Sequence, residues 1–379
     1  MSDPTLTHIA WARTRLPQFR FSLADSAIAP PDLAPLGLPA LDPTPAEGYA
    51  ILDRLEAALG ERYRAPGDRV QLCAGASEAN AVVFGALLAA GDEALVELPG
   101  YEPHVMVPER FGARVRRLRR PLGAAPGAVA TAVEAALTKA TRLLVLSSPH
   151  NPSGALLEAA DLEALDAIAE RHHLWLLCDE TFRDAAAGVA LGTVAERGER
   201  WIATSSLTKS YGLGGLRVGW IAGAPAVLAR CRAMQDLLSA LPALPSLVLA
   251  ELLLPHLDSL RERTHAILAA NHTAWRAAAP RLTALTVPAV SRATTAWALL
   301  DGSGRGDAFA EFAAERFELG LAPGRFFGDP DGVRITLGAL PDRFAASLQV
   351  LASALAAFGS PASVPPAGDR GGVAIPETR

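Results

Sequence analysis

The chain has 379 residues, 50% of them hydrophobic and 20% charged, with a formal net charge of -5. This balance describes a folded globular protein long enough for two units, and the acidic charge with no basic tract argues against a nucleic-acid binder. Three scattered cysteines, Cys73, Cys178 and Cys231, carry no metal-ligand spacing and suggest a reducing cytoplasm.

Residues 1–20 lack the apolar stretch of an export signal. Prolines crowd positions 30–45, and a helix is expected near 51–64. From about 68 to 222 short apolar runs alternate with longer helical patterns. Strands are expected at 69–73, 94–98, 115–118, 143–146, 174–178, 201–205 and 218–221, with helices at 77–90, 128–140 and 158–172. Ser77, Glu78 and Pro225 read as helix starts and Gly91 as a stop. Such alternation implies an α/β fold with a mostly parallel seven-strand sheet between helices, in a large domain spanning 48–270. Within the helical stretch 226–270, the apolar run 237–257 is interrupted by Pro242, Pro245, Glu251 and Pro255. That reads as a buried helix with a kinked entry rather than a membrane span. Residues 281–358 then read strand, helix, strand, helix at 296–300, 307–319, 333–337 and 342–358. They suggest a smaller α+β domain over 271–358, with the N-terminal segment 1–47 packing on it. The tail 359–379 has few large apolar residues and is expected to be disordered.

Lysine is rare: Lys139 and Lys209 are the only two, although Lys and Arg together number 35. Arginine can replace lysine as a surface charge but not as an amine that must lose its proton and attack a carbonyl. Lys139 reads as a solvated charge at a helix end. Lys209 lies in a small-residue loop after a strand and reads either as an accidental survivor or as a Schiff-base lysine. The basic cluster Arg116, Arg117, Arg119 and Arg120 reads as a solvated strand end.

Ligands of open parallel sheets bind at the carboxyl ends of the strands, and five short motifs fall there. Cys73-Ala74-Gly75-Ala76-Ser77-Glu78 opens a helix whose free amides can hold a phosphate. Pro99-Gly100-Tyr101 presents a ring at the same edge, and Ser148-Pro149-His150-Asn151-Pro152 forms a turn beside it. Asp179-Glu180-Thr181-Phe182 puts a carboxylate at the end of an apolar strand, a costly placement unless a donor or cation meets it. The fifth runs from Ser206 through Lys209 to Arg217.

In this order and spacing, with Pro323-Gly324 and Gly332-Val333-Arg334-Ile335, the motifs resemble the fold-type I pyridoxal-phosphate enzymes of the class I/II aminotransferase family, over about residues 45–358. The resemblance implies a homodimer that uses pyridoxal 5'-phosphate to move an α-amino group between an amino acid and a 2-oxo acid. It implies that Lys209 forms the Schiff base and shuttles the proton, that Asp179 pairs with the pyridine nitrogen, and that Tyr101 stacks on the ring. Asn151 would donate to the phenolic oxygen. Gly75, the Ala76 and Ser77 amides, the Ser77 and Ser206 hydroxyls and Arg217 would hold the phosphate. Arg334, with Asn151, would bind the substrate carboxylate, carried inwards by small-domain closure along with residues 25–31.

Three positions depart from the family pattern. Phe182 stands where a tyrosine usually donates a second hydrogen bond to the phenolic oxygen, which would raise the pKa of the Schiff base; a packing replacement is the other reading. No tyrosine precedes Gly48 within 41–47, and Leu52-Asp53 replaces a leucine-arginine pair. Other pyridoxal-phosphate reactions on an amino acid therefore stay open: elimination, cyclisation, decarboxylation or oxidation. A likeness to bacterial secondary-metabolism members such as capreomycidine synthase points the same way. Ser206-Leu207-Thr208-Lys209 also fits the Ser-x-x-Lys of penicillin-recognising hydrolases, but their Ser-Asp-Asn and Lys-Thr-Gly partners do not occur. Gly212-Leu213-Gly214-Gly215 misplaces the third glycine of a dinucleotide loop. A non-enzymatic sensor of the same fold would need neither Lys209 nor Asp179.

Overall fold

A computed structural model of the protein describes residues 7–65 and 67–359. The chain opens with helix α1 (Thr7–Arg15), strand β1 (Phe21–Ser22) and helix α2 (Ile51–Arg62). Alternating elements follow: β2 (Val70–Cys73), α3 (Ala76–Leu87), β3 (Glu93–Leu98), α4 (Glu102–Arg110), β4 (Arg114–Arg119) and α5 (Ala128–Ala136). Next come β5 (Thr141–Ser147), α6 (Ala159–His172), β6 (Trp175–Asp179), β7 (Trp201–Ser206) and β8 (Gly219–Ala222). Helices α7 (Pro225–Leu238), α8 (Leu244–Leu253) and α9 (Leu257–Ala278) lead to β9 (Thr295–Leu299) and α10 (Arg305–Phe317). The chain closes with β10 (Leu319–Gly320), β11 (Ala322–Pro323), β12 (Gly332–Thr336) and α11 (Pro341–Phe358).

All seven expected strands of the first half join one sheet in the order β2-β8-β7-β6-β5-β3-β4. Only β8 runs against its neighbours, so the sheet is mostly parallel as the alternation implied. Its inner strands β5 to β8 are mainly apolar because both faces are covered, whereas the edge strand β4 is arginine-rich and largely exposed. Leu144, Leu146, Leu176 and Cys178 pack in one core with Leu55, Leu59, Leu165 and Leu247, while Leu143, Val145 and Leu177 face Val82, Val83, Phe84 and Val227 on the other side. A third core gathers Phe309, Val333, Ile335, Phe344 and Leu351 around the antiparallel sheet β11-β12-β9, with Leu23 and Ile28 from the N-terminal segment. Pairing of β1 with β10 ties that segment to the same region.

Several boundaries differ from the sequence expectation. Helix α5 ends at Ala136, and Lys139 sits exposed in the following turn rather than at a helix end. Gly91 lies in the turn past α3, which already stops at Leu87. The run 237–257 is not one buried helix: α7 ends at Leu238, α8 starts at Leu244, and Leu237, Leu238 and Leu241 are exposed. Prolines at 242 and 245 fit the break, since neither can donate to a helix interior. Of the arginine cluster, Arg120 is not solvated; it is buried on Glu97 at 2.8 Å. The expected disordered tail lies outside the described residues beyond Gly359. No helix among the described residues is long and apolar enough to cross a membrane.

Candidate active site

A cavity of about 350 Å³ opens at the carboxyl ends of β5, β6 and β7. Ala76, Ser77, Tyr101, Asn151, Asp179, Phe182, Ser206, Lys209, Arg217 and Arg334 all line it. Gly75 does not, but it shapes the cavity from behind. It precedes α3 at φ +85°, and a Cβ there would lie 2.5 Å from Arg217 Nη2. Gly219 allows the same close approach from β8, where a Cβ would lie 2.6 Å from the Gly75 carbonyl carbon. Arg217 itself adopts φ +53° and donates to the Ala74 carbonyl at 3.1 Å. The start of α3 and the guanidinium together form a concave cluster of donors, with the positive end of the helix dipole behind it.

Asp179 ends β6 and is buried. Its Oδ1 accepts from the Thr181 amide at 3.0 Å and the Thr181 hydroxyl at 2.5 Å, and its Oδ2 accepts from Asn80 at 3.0 Å and lies 3.3 Å from His104 Nε2. Burial alone would raise its pKa, yet His104 and Thr181 outweigh burial and hold the carboxyl below the ordinary range. Thr204 fixes Asn80 in turn, donating to its side-chain oxygen at 2.6 Å. Sequence reading missed both Asn80 and His104. Each lies inside a helix, with nothing in its neighbours to connect it to a residue 75 or more positions away.

Lys209 follows β7. Burial lowers its amine pKa, as do Arg334 and Arg217, against the pull of Asp25 and Asp179. Arg334, in β12, is buried, with its guanidinium over the Phe327 ring at 4.9 Å. It donates to Asn151 Oδ1 at 3.2 Å and to the Ala24 carbonyl at 2.9 Å, while its Nε has no partner. Its pKa falls to about 10 through burial. Asn151 is set by its own amide, which donates to Ser147 Oγ at 3.2 Å, and Ser147 is anchored to buried Glu97. Phe182, buried beside the cavity, offers no donor where a tyrosine would.

Sequence reading also missed His8. Helix α1 lies across the mouth, its first amides donating to Glu102 at 3.2 and 2.9 Å. His8 stacks on Phe326 at 5.2 Å, and its Nδ1 is buried without a partner. Burial, then Arg334 and Lys209, push its pKa down to about 3.

These residues fit pyridoxal phosphate on three observations. The donor cluster behind Gly75 suits a phosphate, an amine of lowered pKa suits a carbonyl, and an ionised, hydrogen-bonded acid suits a pyridinium. The unpartnered Arg334 Nε suits a second anion, such as a substrate carboxylate.

Comparison with known proteins agrees. Residues 47–354 match the family model described as aminotransferase class I and II. The chain is 34% identical over 226 residues to an arginine–pyruvate transaminase of Pseudomonas aeruginosa, covering 55% of this chain and 56% of that protein. It is 31% identical over 293 residues to capreomycidine synthase of Streptomyces vinaceus, covering 75% and 74%. The chain thus spans about half the length of the transaminase, at 56%, and more of the synthase. A pyridoxal-phosphate-dependent aminotransferase from Streptococcus suis superposes with TM-score 0.84 at 21% identity, covering 95% of this chain and all of that one, a likeness of fold. The chain belongs to the class I and II aminotransferase family, and its α/β architecture is that of the fold-type I enzymes.

Proposed function

We propose that the protein is a pyridoxal-phosphate-dependent aminotransferase, moving an α-amino group between an amino acid and a 2-oxo acid. The observation that carries this reading is the convergence of Lys209, Asp179 and Arg334 on one cavity: an amine from the loop after β7, an acid at the end of β6 and a carboxylate clamp from within β12. Pyridoxal phosphate, when bound, supplies an electron sink for cleavage at the amino-acid α-carbon. Ala76, Ser77, Ser206 and Arg217 would hold its phosphate, Tyr101 its ring face, and Asn151 its phenolic oxygen. Asp179 would hold a proton on the ring nitrogen. Arg334 binds the substrate carboxylate through two parallel hydrogen bonds and so orients the α-hydrogen towards Lys209. Lys209, with its pKa lowered, sheds its proton more readily than a solvated lysine and is placed to take that proton and return it.

The same reading assigns a homodimer in the cytoplasm. The three buried free thiols support the compartment. It divides the chain into a large unit over 48–270 and a small unit formed by 1–47 with 271–358. Phe182 and the likeness to capreomycidine synthase favour a second reading, in which the same residues serve ring formation or elimination. Arg334 speaks against decarboxylation, since a clamped carboxylate is retained.

Incubation with a panel of amino acids and a 2-oxo acid acceptor separates these readings. Amino-group transfer yields the donor's 2-oxo acid and a new amino acid in equal amounts. Ammonia, peroxide or a cyclised product in their place would overturn the first reading.

A further inference from the structure

Three cations line the cavity, and each already has a task in the proposed function: Arg217 at the phosphate, Arg334 at the carboxylate and Lys209 at the reacting carbon. Among the described residues none remains there for an acidic side chain of the substrate. One carboxylate does remain. Asp25 lines the same cavity and is exposed to it.

Its position is fixed by the segment that carries it. The Leu23 amide donates to Gly320 at 2.8 Å, and the Thr336 amide to Leu23 at 2.7 Å. Arg334 donates to the Ala24 carbonyl at 2.9 Å, and the Ile28 amide to the Lys209 carbonyl at 3.0 Å. Asp25 is therefore pinned between the carboxylate clamp and the lysine. Its Oδ1 accepts from the Ser26 and Ala27 amides at 2.6 and 3.0 Å, which sets its direction, while no donor among the described residues reaches its Oδ2. A second cavity of about 860 Å³ also touches Asp25; its cations, Arg20 and Arg343, do not line the first cavity. His8 of α1 also lines the first cavity, its buried Nδ1 without a partner.

Resting on the proposed function, we propose that the site selects amino donors whose side chain ends in a cation, a guanidinium or an ammonium, and that Asp25 is its partner. A carboxylate with one oxygen free in a half-enclosed cavity is stabilised by such a cation and repels an acidic side chain.

L-arginine and L-citrulline have nearly the same shape and differ in side-chain charge. Their binding to the borohydride-reduced protein, which cannot turn over, can be measured by calorimetry alongside kcat/KM for the native protein. Arginine is expected to bind about ten- to a hundredfold more tightly, the range of a hydrogen-bonded charge. Asp25→Asn keeps the acceptor for Ser26 and Ala27 and should erase the preference, while Asp25→Glu should restore part of it. Equal binding of the two amino acids, or a preference that survives in Asp25→Asn, overturns the proposal. Selective arginine binding without amino transfer would overturn the proposed function and leave this inference standing.

Discussion

At the scale of single residues, the site is built from groups whose burial is compensated by specific partners. Asp179 is tolerable at the end of an apolar strand because Asn80, His104 and Thr181 surround it with donors. Arg334 is the complementary case, a buried cation whose Nε has no partner and which the proposed function pairs with a substrate carboxylate. Arg334→Gln should therefore lower kcat/KM about a hundredfold, most of it in KM, because two charge-assisted hydrogen bonds to the substrate are lost. Steady-state kinetics check this; an unchanged KM would detach Arg334 from substrate binding. The sequence made Lys209, Asp179 and Arg334 legible because the first two follow or end an apolar strand, Arg334 lies within one, and all three sit in recognisable motifs. It hid Asn80, His104 and His8, whose roles arise only from contacts between distant segments.

At the scale of elements, two junctions govern the cavity. The first is the turn into α3, where Gly75 has a positive φ and leaves room for the Arg217 guanidinium. Gly75→Ala should push the guanidinium aside at a cost of about 1–3 kcal/mol and loosen phosphate binding, seen as faster cofactor loss on dialysis. The second is the docking of α1 over the mouth. Docked, His8 has a pKa near 3, set by burial and by Arg334 and Lys209, against 6.5 when free, with Glu102 at the helix start. A histidine lowered on docking favours the docked state fully above pH 6.5, and that advantage fades by about 1.4 kcal/mol per unit as pH falls towards 3. Hydrogen exchange corrected for intrinsic rate should show protection of residues 7–15 falling between pH 7.5 and 5, with the change suppressed in His8→Asn. Sequence pattern found the strands better than the helix ends, because strands buried on both faces are unbroken apolar runs. Helix α1 has no apolar stripe to announce it, and β1, β10 and β11, at two residues each, carry too little pattern to read.

At the scale of the whole molecule, the cavity draws Lys209, Asp179 and Arg217 from the large sheet and the loops that follow its strands, Arg334 from the C-terminal sheet, and Asp25 and His8 from the N-terminal segment. Those contributions meet because β1 pairs with β10 and the residues after it bond to both β12 and the Lys209 loop. The proposed homodimer predicts a light-scattering mass of twice that of the chain across micromolar concentrations, and a single-chain mass would remove it. In the proposed function one lysine of two is the amine that joins a carbonyl cofactor, and exposed Lys139 serves as the internal control. Borohydride reduction of the protein loaded with pyridoxal phosphate, followed by peptide mass spectrometry, tests this most directly. The expected result is one pyridoxyl group per chain on Lys209 and none in Lys209→Ala; a label on Lys139, or an undiminished label in the variant, would contradict it.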